Sequence, residues 1–343
     1  MPASRFIFSA FQARAVRAGF DWFLLALIGM IVLAYLLPEV GIQKGPFSLS
    51  ALARYGVSVI FFFYGLRLNP QKLRAGLSNW RLHLVVHLTT FVVFPLLLLA
   101  CRGLFNTEHT ALLWLGAFYV AALPSTVSSS VVMVSIAGGN LPAAIFNASV
   151  SSLIGVFITP LWMSAVLSSG TSSEYDVWGV IGKLTLQVVV PVLLGIALHR
   201  WLGSLAERYR QGLRYFDQTI ILLIVYTSFC ESFARQLFKG YSAPDILLLA
   251  GLMSGLFFLM YGFIFLISNL LGFNREDRIT ALFCGSKKSL VQGSVMANLL
   301  FPAGSIGVIL LPIMLYHALQ LIAASILAQG MARRAQGQNP DNS

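Results

Sequence analysis

The sequence predicts an all-α, polytopic membrane protein: ten transmembrane helices in two inverted five-helix repeats. Three observations point there. Hydrophobic residues make up 57% of the 343-residue chain and charged residues only 10%. A globular domain carries roughly 25% charged residues, so this chain can hardly assemble a polar skin. The apolar residues fall in runs of about 20, the length that crosses a hydrocarbon core. The basic residues behind the net charge of +11 cluster at alternate ends of those runs, as the positive-inside rule requires. Soluble enzymes, secreted domains and nucleic-acid binders are poor fits to this composition. The positive charge is topogenic rather than a nucleic-acid footprint.

The elements follow in order. Residues 1–20 carry Arg5, Arg14 and Arg17 among Phe6, Phe8 and Phe11. With no apolar core before a small-residue cleavage site, this is an interfacial or cytoplasmic segment rather than a cleaved signal peptide. The first repeat, 21–166, holds apolar segments at 21–38, 49–66, 80–101, 110–136 and 141–166. The second, 175–328, holds segments at 177–200, 216–234, 246–271, 276–300 and 303–328. Five spans per half turn the second half upside down, a common transporter plan. Residues 329–343 are expected to form a flexible cytoplasmic tail. Both termini are then cytoplasmic, and in a bacterial cell the protein lies in the inner (plasma) membrane. Cys101, Cys230 and Cys284 match no disulfide or metal spacing.

The fourth and ninth segments, equivalent in the two halves, are the least regular. In the fourth, Pro124 is followed by Ser125, Thr126, Ser128, Ser129 and Ser130. Proline removes a donor and clashes with the preceding turn, so a helix break at membrane depth is expected, its hydroxyls and freed backbone facing a cavity. The competing reading is a kinked helix packed by small hydroxyl residues. In the ninth, Gly285, Ser286, Lys287, Lys288, Ser289, Gln292 and Gly293 sit between apolar stretches. Intramembrane lysines are expensive and mark functional sites. The competing reading is snorkelling to a surface. Pro124, Gly285 and Gly293 are the expected helix-break positions, the glycines admitting close backbone approach.

Neighbouring segments add polar residues. Asn147, Ser149, Ser151 and Ser152 lie on the fifth, and the i,i+4 pair Asn147 and Ser151 is expected to face the broken fourth helix. Asn140, after Gly138 and Gly139, reads as a turn residue. Lys183 with Gln187, and His317 with Gln320, are further polar pairs, and His83 with His87 lacks the partners a metal site needs. Asp21, Asp217, Glu231 and Glu276 all fall near segment ends. The deep charge is therefore positive, which suits an anionic substrate. No phosphate loop, H-E-x-x-H or nucleophile–base arrangement is present, so neither enzyme activity nor a cofactor or resident metal is expected.

The ten spans, PSTVSSSVV around Pro124, the Gly138–Asn140 turn and CGSKKSLVQG at Cys284–Gly293 resemble the bile acid:sodium symporter superfamily, the solute carrier family 10-like transporters, in its SBF-like bacterial branch. The resemblance spans nearly the whole chain. It implies a panel and a core domain, with the fourth and ninth helices crossing at unwound centres. It also implies organic-anion substrates, with sodium ions held beside the crossing. Here the chain departs from the pattern. The glutamate of sodium-coupled relatives falls at Phe283, and their glutamine and following asparagine at Lys287 and Lys288.

The expectation is thus a secondary transporter of a small organic anion, working by alternating access in a lipid bilayer. Lysines in the usual sodium region make it sodium-independent or proton-linked, with a lysine amine replacing sodium as a tethered cation. Substrate and ion binding is expected at Ser125, Thr126, Ser128, Ser129, Ser130, Asn147, Ser149, Ser151, Lys287, Lys288, Ser289 and Gln292. Two alternatives stay open: a sodium-coupled, bile-acid-like symporter, and a non-transporting membrane regulatory or scaffold protein. No nucleic-acid partner is expected.

Overall fold

The computed structural model describes residues 22–43, 45–46, 48–68, 76, 79–104, 108–167, 177–236, 239 and 241–337. The expected interfacial segment at 1–20 lies outside them. Among the described residues the chain is helical throughout. The helices are α1 (Trp22–Leu36), α2 (Leu49–Arg67), α3 (Trp80–Ala100), α4 (Glu108–Ala122), α5 (Ser128–Ala137), α6 (Leu141–Leu167) and α7 (Val177–Leu184). There follow α8 (Val190–Arg208), α9 (Arg210–Ala234), α10 (Ala243–Leu270), α11 (Arg275–Gly285), α12 (Leu290–Leu300) and α13 (Ile306–Gly337).

All ten expected apolar segments carry helix. Six stretches are long and apolar enough to cross a membrane: Leu49–Arg67, Trp80–Ala100, Leu141–Leu167, Thr185–Arg208, Ala243–Leu270 and Ala303–Arg334. Elsewhere the helix is short (α1), begins in a polar stretch (α9), or is divided in two (α4 with α5, α11 with α12). Large apolar side chains such as Leu25, Leu84, Leu193, Leu247 and Leu266 are exposed along these helices, as a lipid-facing surface requires.

Some boundaries differ from expectation. The sixth segment stays helical to Arg208, eight residues beyond its expected end, and α9 begins at Arg210. The arginines there favour helix as well as water. The last helix runs to Gly337, into the stretch 329–343 expected as a flexible tail; residues 338–343 lie outside the described part.

The helices pack in two groups. In the first, α1, α2, α8 and α9 pack on one another, with α7 joined to α8 through the π-helical turn Thr185–Val189. The tightest approach joins α2 and α8. A Cβ on Gly65 would stand 2.1 Å from the Val192 carbonyl oxygen, and one on Gly195 would stand 2.2 Å from that of Phe62. Small residues let membrane helices touch backbone to backbone, where dispersion and close packing replace the hydrophobic drive. The ion pair Arg67–Asp217, at 2.9 Å, joins α2 to α9 within the same group. The second group gathers α3–α6 and α10–α13. The groups meet where α9 lies on α12 and α13, and where α6 and α12 meet α7.

Candidate functional site

The second group is organised by its two interruptions. Pro124 has no N–H to give and cannot follow the turn before it, so α4 stops at Ala122 and α5 starts at Ser128. The second break, Ser286–Ser289, separates α11 from α12. The two breaks touch: the Ser289 N–H donates to the Pro124 carbonyl at 2.9 Å. Gly155 on α6 makes room for this contact, since a Cβ there would meet the Pro124 ring at 2.7 Å.

Breaking a helix in an apolar interior frees backbone groups that must find partners. On the first break, the Ala122 carbonyl accepts from Thr159 at 2.8 Å, and the Ser125 N–H donates to Ser151 at 2.9 Å. The Ala121 and Leu123 carbonyls accept from Lys288 Nζ at 2.6 and 2.9 Å. On the second break, Gln320 of α13 clamps the Lys288 backbone, accepting from its N–H and donating to its carbonyl, both at 2.8 Å. Tyr316 donates to the Ser286 carbonyl at 2.6 Å, and Ser130 donates to that of Phe283 at 3.0 Å.

Lys288 is fully buried. Besides Ala121 and Leu123 it donates to the Thr90 carbonyl at 2.8 Å, in a π-helical turn of α3 that spans Thr89–Val93. Such bulges recur at functional sites. The Phe94 ring centroid lies 4.1 Å from Nζ, within cation–π range. Three carbonyls and an aromatic face therefore enclose one ammonium, the surroundings a desolvated monovalent cation needs. Lys287 is also 0% exposed, but its Nζ has no hydrogen-bond partner among the described residues. Its electrostatic neighbours are Cys284 and His317. Snorkelling is thus ruled out for both lysines.

The remaining expected site residues divide. Ser125, Thr126, Ser130, Ser151, Ser289 and Gln292 are buried at the crossing. The Thr126 hydroxyl bonds to Ser129 and Ser130 at 2.9 and 2.8 Å. Ser289 caps α12, and Gln292 donates to the Ser152 carbonyl at 3.1 Å. The structure places three others apart from this network. Ser128 is exposed on α5 and stands outside this network. Asn147 turns away from the break; its side-chain oxygen meets His83 Nδ1 of α3 at 3.1 Å and its amide donates to the Ala143 carbonyl. Ser149 sits at the seam between the groups, where its carbonyl accepts from Tyr64 at 3.4 Å. As for the expected break positions, Gly285 is the last residue of α11, and Gly293 lies inside α12 rather than at the break. A Cβ on Gly293 would meet Ile313 and Leu123 at 2.5 and 2.7 Å, so its role is close approach.

Two features went unread in the sequence. Thr90, Thr159 and Tyr316 serve the breaks from a distance, and so does Gln320, noted in the sequence only as a polar partner of His317; Tyr119 ties α4 to α12, donating to the Gly293 carbonyl at 2.6 Å. Asp277, 7% exposed, accepts from Asn79 and Asn140 at 2.6 and 2.9 Å. Both asparagines also cap their own helices, and Asn274 caps the Asp277 N–H. Three helix N-termini thus converge on one carboxylate, the charge their dipoles favour. Asn140 is a cap and a tie rather than only a turn residue.

Two broken helices locked at their breaks, with buried lysines beside them, are the architecture of a carrier. Residues 21–333 match the SBF-like CPA transporter family. The chain belongs to that family. It is 42% identical to an uncharacterised protein of Pseudomonas aeruginosa, covering 92% of this chain and 93% of the relative. It is 35% identical to YfeH of Escherichia coli K12, over 92% and 94% of the two chains. It is 32% identical to the mouse protein named sodium/bile acid cotransporter 7, over 91% and 92%. These matches bear out membership of the bile acid:sodium symporter superfamily through its SBF-like branch. The SBF-like chain is a polytopic membrane transporter and not an enzyme.

Proposed function

We propose that this SBF-like carrier moves a small organic anion across the bacterial inner (plasma) membrane by secondary transport and alternating access. The single observation that carries the reading is the closed crossing with two fully buried lysines, a positive centre of the kind an anion needs at membrane depth. The helix pairs α4–α5 and α11–α12, interrupted at corresponding places of the two halves, support ten spans in two inverted repeats. The excess of basic residues at alternate ends supports cytoplasmic termini. Ser125, Thr126, Ser129, Ser130, Ser151, Ser289 and Gln292 supply polar groups around the lysines. Asn147 and Ser149 act on the adjoining α3 and α2 contacts.

The name of the mouse relative favours sodium coupling to a bile-acid-like anion. The Lys288 cage favours a second reading, in which the ammonium takes a cation's place and transport is sodium-independent or proton-linked. Uptake of labelled taurocholate and of smaller carboxylates into proteoliposomes, with and without a sodium gradient and with an imposed pH gradient, tests both. Uptake that needs sodium sinks the second reading. No uptake of any organic anion under any gradient sinks the first and leaves a non-transporting membrane protein.

A further inference from the structure

We propose that the two adjacent lysines have separate tasks. Lys288 is a resident cation that holds the breaks together, and Lys287 presents the free ammonium that takes the carboxylate or sulfonate of the transported anion. The assignment rests on the organic-anion reading above and names the group that carries it out.

The argument begins with donor capacity. An ammonium has three N–H donors and no acceptor. Those of Lys288 meet three carbonyls, of Thr90, Ala121 and Leu123, and the Phe94 ring covers its remaining approach. Lys288 cannot turn to a substrate without releasing the end of α4 and the π-helical turn of α3. Lys287, next in the chain and equally buried, keeps all three donors unused among the described residues. Buried polar groups are almost always paired, and one that is not calls for an explanation. Neither of its electrostatic neighbours among the described residues, Cys284 and His317, is a carboxylate.

The surroundings suit an incoming anion. Helix α5 begins at Ser128 and α12 at Leu290, so two helix N-termini start at the breaks; the C-termini of α4 and α11 end there too, but their carbonyls at Ala121, Ala122, Leu282 and Phe283 already accept from Lys288, Thr159, Ser286 and Ser130. The Ser125 hydroxyl, on the first interruption, and the Gln292 side-chain oxygen, in the first turn of α12, are buried and also lack partners among the described residues. A donor and an acceptor left unused at the crossing, with a free ammonium in the second break, match a solute with one acidic group and a further polar group. Placing the charge on a residue whose removal leaves the cage intact lets substrate come and go without unlocking the breaks.

The test melts the purified full-length chain in nanodiscs against rising concentrations of taurocholate and of benzoate, for wild type, K287Q, K287R and K288Q. The expected result is that at least one anion raises the wild-type Tm. K287Q should need at least tenfold more of it, and K287R should keep a shift that K287Q loses. Without anion, K287Q should melt no lower than wild type, because an unpaired buried charge has gone, whereas K288Q should melt lower. A K287Q variant with the wild-type anion response overturns the Lys287 assignment and leaves the organic-anion reading standing. A K287Q variant that, without anion, melts as low as K288Q shows that Lys287 has a structural partner and overturns it equally. A wild type that responds to neither anion overturns the organic-anion reading and the assignment with it.

Discussion

Replacing Lys288 with alanine takes the ammonium out of its cage and leaves three carbonyls without their donor. Removing one partner of a buried charged arrangement costs about 3–5 kcal/mol. Three acceptors stranded together place Lys288→Ala at the upper part of that range, since each buried unsatisfied group alone costs about 1–3 kcal/mol. Unfolding entropy of ~2.1 cal/mol/K per residue gives about 0.7 kcal/mol/K for 343 residues. The expected fall in Tm is therefore about 6–7 °C. The alanine variant also exposes a ring of oxygens of the size a small monovalent cation uses. If sodium enters with a Kd of about 10 mM, then 150 mM sodium restores about 1.6 kcal/mol, or about 2 °C.

The assay is a thermal melt in nanodiscs across a sodium chloride series, with choline chloride holding ionic strength constant. Wild type should ignore the exchange at this cage, and Lys288→Ala should melt progressively higher as sodium replaces choline. An alanine variant as stable as wild type would show that the three contacts hold nothing together. A destabilised variant indifferent to sodium would show that the carbonyls, once freed, relax rather than wait for a cation. Either result refutes the view of Lys288 as a built-in cation.

Three further outcomes follow from the packing. Gly155→Ala pushes a methyl group to 2.7 Å from the Pro124 ring and should lower stability by about 1–3 kcal/mol, read as a Tm shift, with slower uptake because the α4–α5 break moves. Gln320→Leu strands both the N–H and the carbonyl of Lys288; it should cost about 2–5 kcal/mol and abolish uptake in proteoliposomes at unchanged membrane insertion. Asp277→Ala should destabilise more than Asn79→Ala, which loses a helix cap of about 1 kcal/mol. The double variant should fall short of the sum in a melting-based double-mutant cycle, because both act through one knot.

What was legible in the sequence is what breaks a local rule of membrane physics. Pro124 inside an apolar run cannot continue a helix, and Lys287 and Lys288 inside another are too costly to be accidental. Both irregularities sit where the structure interrupts its helices. Their partners were not legible, because backbone groups are satisfied by whatever tertiary approach brings near. Gln320 lies 32 residues beyond Lys288, and Thr90 lies 198 before it. Nothing in the types of those residues announces the pairing. Asn147 and Ser151 show the same limit within one helix. Their i,i+4 spacing puts them on one side of α6, yet that side meets two neighbours. Asn147 falls to His83 of α3 while Ser151 reaches the break at Ser125. Asp277 was missed because it stands in the first turn of α11, where an acidic residue is expected for the dipole alone.

The pattern of bonds also separates the part that must stay rigid from the part that can move. The four carbonyls from Ala121 to Pro124 each take a donor from another segment: Lys288, Thr159, Lys288 again and Ser289. Shifting α4–α5 against α11–α12 would strand three of the four in an apolar interior, a heavy cost. Any relative movement of the two helix groups must therefore act elsewhere, and at one point the seam between them is light. The Tyr64 bond to the Ser149 carbonyl is long, at 3.4 Å. At another point of the seam Ser232 of α9 pins the start of α13, donating to the Gly304 carbonyl at 2.6 Å and accepting from the Gly307 N–H at 3.1 Å. Helix α5, by contrast, leaves one face exposed, with Ser128, Val132 and Ser135 along it. Two hydroxyls on that face suit water better than lipid. The seam is thus pinned where α9 meets α13 and light where α2 meets α6, so a movement of the first group over the second can pivot on the pin without disturbing the lysines.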